Sequence, residues 1–155
     1  MNAKFLVDLN VLVPLIEEQF AQGTDATIIV TGASMTPLFR HGQDRAVLSP
    51  CDPTTLKRGD VPFYHRDNGQ YVLHRIIGQD KDGFHLLGDG QTVVEYGVKP
   101  EQIVGVMTGL YRGERYVACT AFRYRLYTWF WMNTKWARRY LLALHRRCTR
   151  EKAKD

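Results

Sequence analysis

The stretch from residue 25 to about residue 118 sets the tightest limit on the fold. It consists of short β-rich runs, each cut by turn residues before a helix has room to form. The runs are residues 26–31, 45–48, 61–65, 71–77, 84–87, 103–111 and 115–118. Between them lie Arg40-His41-Gly42, Ser49-Pro50-Cys51-Asp52-Pro53, Arg66-Asp67-Asn68-Gly69, Asp80-Lys81-Asp82-Gly83 and Arg112-Gly113. Asn68-Gly69 and Asp82-Gly83 signal hairpins, because those residues accept the positive φ of tight turns. Many short strands without intervening helices predict a mostly β, sheet-like or barrel-like fold.

Helical texture is confined to the ends. In residues 9–22, Leu12, Leu15, Ile16 and Phe20 recur at three- and four-residue steps, predicting a short amphipathic helix that starts at Asn10 or Val11. Pro14 then falls in its first turn and Gly23 ends it. Residues 120–149 lack turn residues and read as one long helix or a kinked pair. Phe122, Leu126, Trp129, Phe130, Trp136, Tyr140, Leu141 and Leu144 line roughly one side of it, and arginines fill much of the rest. The chain thus divides into an N-terminal helix (1–24), a β-rich domain (25–118) and a basic, aromatic tail (119–155).

Charge follows the same division. The net charge of +5 hides 9 Lys+Arg against 13 Asp+Glu in residues 1–110, and 12 against 3 in residues 111–155. Any anionic partner is therefore sought at the tail. Its mixture of arginine with Trp, Tyr and Phe suits an anionic lipid surface, and equally a helix packed on the β-rich domain or on a second subunit. Nucleic acid is not expected, because so much apolar bulk fits a lipid interface better. Cys51, Cys119 and Cys148 form neither a zinc pattern nor a disulfide framework, so reduced thiols in the cytoplasm are expected. Asp8 interrupts the first apolar run too early for a signal peptide, and no apolar stretch approaches the roughly 20 residues of a membrane span. No metal or other cofactor is called for.

Three polar residues stand where chemistry is possible. Ser34 follows the apolar Ile28-Ile29-Val30 among Gly32, Ala33 and Pro37, where a strand turns out into a loop. Small residues there admit a substrate backbone and leave peptide N–H groups for an oxyanion; a plain turn serine is the other reading. His74, in Tyr71-Val72-Leu73-His74-Arg75-Ile76-Ile77, shares a strand face with Val72 and Ile76. Desolvation there favours the neutral, basic imidazole, although a hydrogen-bonded core histidine has the same pattern. His41, His65, His85 and His145 lie beside turns, in a short hairpin or in the basic tail. Asp89, in Leu87-Gly88-Asp89-Gly90-Gln91, is either an acid that reaches back to an imidazole or an ordinary Asp-Gly turn.

Taken in order, Gly32-Ala33-Ser34-Met35-Thr36-Pro37, Leu56-Lys57-Arg58-Gly59-Asp60-Val61, Val72-Leu73-His74-Arg75-Ile76 and Gly88-Asp89-Gly90-Gln91 resemble the boxes of the signal-peptidase and SOS-repressor-type serine peptidases. The resemblance covers roughly residues 25–112. It implies a signal-peptidase-like β-rich catalytic domain in which Ser34 attacks a peptide carbonyl. Most bacterial members pair that serine with lysine; His74-Arg75 is similar to the endoplasmic-reticulum type and implies a Ser-His-acid site. In that type an acid follows the Gly-Asp box by a few residues, so Asp89 and Glu95 both qualify as third member, with Asp89 favoured. Many relatives carry an oxyanion-donating serine two positions before the nucleophile. Gly32 stands there, so the second donor must be another backbone group or be absent. Met35 and Pro37 are expected to shape the loop and a shallow groove.

The chain departs from the family in having no membrane helix before the serine box and, with about 30 residues ahead of Ser34, no room for a DNA-binding domain. The resemblance therefore implies an endopeptidase, soluble or held at the inner face of a membrane, that removes a leader or signal-like segment from a peptide or protein. The alternatives are a catalytically degenerate peptide-binding module and a self-cleaving regulator.

Overall fold

The computed structural model describes residues 9–134, together with 140 and 143. The β-rich texture becomes nine strands: β1 (Ala26–Ile29), β2 (Arg45–Ser49), β3 (Pro62–His65), β4 (Tyr71–Leu73), β5 (Arg75–Asp80), β6 (Gly83–Leu87), β7 (Glu95–Val98), β8 (Ile103–Arg112) and β9 (Arg115–Ala118). Helices α1 (Leu9–Ala21) and α2 (Phe122–Asn133) flank them. The mostly β expectation holds.

The strands form two antiparallel sheets. The larger runs β1-β2-β8-β3-β4, with β9 added to β8; the smaller is β5-β6-β7. The ten-residue β8 is the spine, pairing with β2 along one edge and with β3 and then β9 along the other. Hairpins form at both Gly-containing signals: His65 pairs with Tyr71 around Asn68-Gly69, and Asp80 with Gly83. Gly69 (φ 80°) and Gly83 (φ 134°) take conformations that side-chain-bearing residues rarely adopt.

The run expected as one strand over residues 71–77 is instead broken at His74. β4 belongs to the large sheet and β5 to the small one, so His74 sits at the crossover between them. The chain turns there because β5 finds new partners: the Ile76 N–H donates to Asp60 O, and Ile76 O accepts from Gly59 N–H. β7 has no counterpart among the expected strands, since Glu95-Tyr96-Gly97-Val98 carries little alternation to announce it.

α1 begins at Leu9, which puts Pro14 in its second turn rather than its first. Val13 and Ile16 are buried against the large sheet with Leu12 and Phe20 beside them, whereas Leu15 is exposed. Phe20 lies over Gly105, where a Cβ would come within 2.7 Å of its ring. Gly23, at φ 72°, ends the helix as expected. The main core joins α1, the large sheet and Met35, Leu38 and Phe39 of the Ser34 loop. A second core of Leu56, Tyr64, Ile76, Phe84, Leu86 and Val98 lies under the small sheet.

α2 buries Tyr124, Trp131 and Met132 and is capped at Thr134. Beyond that point the expected helix to residue 149 lies outside the described residues except at 140 and 143, both helical. No helix among the described residues is long and apolar enough to cross a membrane.

Candidate active site

Ser34 lies half-buried on the loop leaving β1, after Gly32 at φ 85°. Its buried neighbours Met35, Leu38 and Phe39 fasten that loop into the core, which is the structural role expected of Met35. The other fastening comes from Gly88-Asp89-Gly90. The Gly90 N–H donates to the Ser34 carbonyl at 2.7 Å. A Cβ on Gly88 would overlap that same carbonyl oxygen, and one on Gly90 would overlap Ala33 O. The two glycines thus let one backbone lie directly on the other. The Gly32 N–H is committed to His41 Nδ1 at 2.6 Å, whereas the Ser34 N–H takes no partner among the described residues.

Ser34 and His74 line the same open cleft of about 720 Å³. Its walls include residues 28–30 on one side and 71–73 on the other. These belong to or adjoin β1 and β4, the end strands of the β1-β2-β8-β3-β4 path, so the sheet curls until both ends of that path meet one cavity. Edge strands carry backbone donors and acceptors that no neighbouring strand has used.

His74 is only 2% exposed. Its Nδ1 lies 3.1 Å from the Tyr64 hydroxyl and 3.4 Å from Glu95 Oε2. Tyr64 donates to Glu95 Oε2 at 2.7 Å, and Arg66 holds both carboxylate oxygens through Nε and Nη2. Burial pushes Glu95 up, but the bonds from Arg66 and Tyr64 outweigh it and leave the acid below the usual carboxylate range. Burial and the adjacent Glu95 keep Tyr64 protonated.

These bonds fix the tautomer. The single Tyr64 proton goes to the carboxylate, the stronger and closer acceptor. The Tyr64 oxygen and the Glu95 carboxylate are then acceptors toward Nδ1, so the imidazole proton resides on Nδ1 and the Nε2 lone pair is unspent. His74 Nε2 is buried and has no hydrogen-bond partner. Burial lowers the His74 pKa to about 4, against the opposing pull of Glu95, so the ring is neutral near pH 7. A neutral imidazole with a free Nε2 is the form a general base requires. Ser34 Oγ does not reach Nε2.

The favoured acid, Asp89, is turned elsewhere. It is fully buried and takes two parallel bonds from Arg75: Nε to Oδ1 at 2.9 Å and Nη2 to Oδ2 at 2.7 Å. Tyr127 of α2 donates to the same Oδ2 at 3.0 Å. Arg75 Nη1 donates to Gly59 O, with Tyr124 and Thr128 of α2 also within reach. Burial opposes the Arg75 charge, but Asp89 outweighs it and holds the guanidinium ionised. The expectation that Asp89 orients His74 is therefore corrected: the acid within reach of the imidazole is Glu95, because Arg75 claims Asp89 first. Sequence reasoning missed Tyr64 and Arg66 altogether. Tyr64 lies in β3 and Arg66 directly follows it, and nothing in their spacing of two points to Glu95 without the tertiary structure.

No protein-family model matches the chain, and no curated protein matches it in sequence.

Proposed function

We propose that the protein is a serine endopeptidase of signal-peptidase-like type, which cleaves a leader or signal-like segment from a peptide or protein. The observation that carries this reading is the buried, unpartnered Nε2 of His74, a residue that lines the same cleft as Ser34, with its lone pair fixed by Tyr64 and Glu95. As Ser34 Oγ attacks the substrate carbonyl carbon, its proton passes to His74 Nε2. When the C–N bond breaks, His74 returns that proton to the departing amine, and water then hydrolyses the acyl-serine by the same route reversed. Glu95 and Tyr64 hold the ring and stabilise the imidazolium; the Ser34 N–H is an oxyanion donor. The two edge strands in the cleft walls suit an extended peptide, which adds to an open sheet edge through its backbone. The described thiols, Cys51 and Cys119, are free, which suits a reducing compartment.

One observation favours a second reading, a peptide-binding module without activity: Ser34 Oγ is not bonded to His74. A fluorophosphonate probe separates the two. Labelling of the wild-type chain should vanish in Ser34→Ala and fall by on the order of 10⁴-fold in rate in His74→Ala. Absence of Ser34-dependent labelling, together with no hydrolysis across a peptide library, leaves the binding module.

A further inference from the structure

α2 is apolar on two faces, and only one of them is used by the fold. Tyr124, Trp131 and Met132 are buried inward, and Tyr127 reaches Asp89. Phe122, Leu126, Trp129 and Phe130 are 77%, 52%, 64% and 47% exposed. Their spacing of four, seven and eight residues from Phe122 puts them on one side of the helix. Arg123, Leu126, Tyr127, Trp129 and Phe130 form a shallow groove along it, and the exposed Arg123 and Arg125 flank the patch.

Charge indicates what covers this face. Between Glu114 and Glu151 the chain has no acidic residue and nine Lys or Arg. A symmetric pair of copies meeting through α2 would bring Arg123 and Arg125 of both chains together with no carboxylate in the segment to compensate them. An anionic lipid surface instead satisfies both features, taking the aromatic side chains at its headgroup boundary and the arginines at its phosphates. We infer that the outer face of α2 is a docking surface for an anionic membrane, seated through Phe122, Leu126, Trp129 and Phe130. The inference is independent of the peptidase reading, because none of these side chains lines the Ser34 cleft.

Flotation of the full chain with vesicles tests it without reading hydrolysis. The protein should float with phosphatidylcholine mixed with phosphatidylglycerol, remain behind with phosphatidylcholine alone, and be released by high salt. Trp129→Ser with Phe130→Ser should lower the bound fraction by on the order of tenfold, with an unchanged melting curve because both side chains are exposed. If that double variant does not fold, Phe122→Ser with Leu126→Gln carries the same expectation. Equal flotation of wild type and folded variant overturns the docking surface, as does failure to float at all. A concentration-dependent dimer in sedimentation equilibrium that the variant abolishes, without flotation, assigns the face to a second copy instead.

Discussion

His74 and Arg75 are neighbours in the chain, similarly buried, and end in opposite kinds of surroundings. Arg75 is closed off: Asp89 meets its guanidinium at two nitrogens, while Gly59, Tyr124 and Thr128 gather at the third. His74, which lines a cleft, has one nitrogen engaged by Tyr64 and Glu95 and the other buried and unengaged. The Arg75 cluster spends nearly all of its hydrogen-bonding capacity and so contributes rigidity; breaking it exposes an uncompensated buried charge. The His74 cluster leaves one lone pair unspent, which costs stability and leaves a base available. The two clusters are connected. Asp89 is held by Arg75 and α2 on one side, and the glycines that flank it lie on the Ser34 backbone on the other. The closed cluster thereby positions the loop on which the open one would act.

The comparison predicts different failures on its two sides. The largest is expected at Asp89: Asp89→Ala strands the Arg75 guanidinium in the interior and should cost about 3–5 kcal/mol of stability, read as a fall in Tm. A variant that melts like the wild type would remove the structural role assigned to Asp89. Glu95→Gln keeps the shape of the open cluster but not its charge. It should melt close to the wild type while kcat/KM falls on the order of 100-fold or more; full activity in this variant would return the third role to Asp89. Tyr64→Phe removes the hydroxyl between ring and acid and should lower kcat/KM roughly tenfold, the scale of one buried hydrogen bond.

The smallest effects are in pH dependence. The acid limb of kcat/KM should centre near 4 rather than at the ordinary histidine value of 6.5. In Glu95→Gln it should move lower still, because the carboxylate favours the imidazolium. Stability carries the same sign. The folded His74 pKa lies below its unfolded value, so the unfolded chain takes up the proton first. Stability is full above about 6.5 and is lost as pH falls from there through 4. His74→Gln should flatten that portion of the stability profile, and an unchanged profile would mean that the imidazole is not desolvated.

Local chemistry made much of this protein legible. The β-rich texture, the turns at Asn68-Gly69 and Asp82-Gly83, and the stop at Gly23 follow from the conformational preferences of a few adjacent residues. The placing of Ser34 at a strand exit follows from the small residues around it. That Ser34 and His74 line one cleft follows from no such local rule.

Tertiary structure alone decided the rest. Asp89 and Glu95 are six residues apart, and the family resemblance admits both as partner of His74, with Asp89 favoured. The choice between them is set by the crossover at residue 74, which sends His74 toward Tyr64 and Arg75 toward the interior side of the Gly88–Gly90 backbone. It is also set by β6–β7 pairing, which opposes Glu95 to Leu86. Likewise, hydrophobic spacing could draw one apolar stripe on the tail, whereas α2 divides its aromatic residues between a buried face and an exposed one. Periodicity records which residues share a side of a helix. Which side meets the protein depends on what the rest of the chain brings against it.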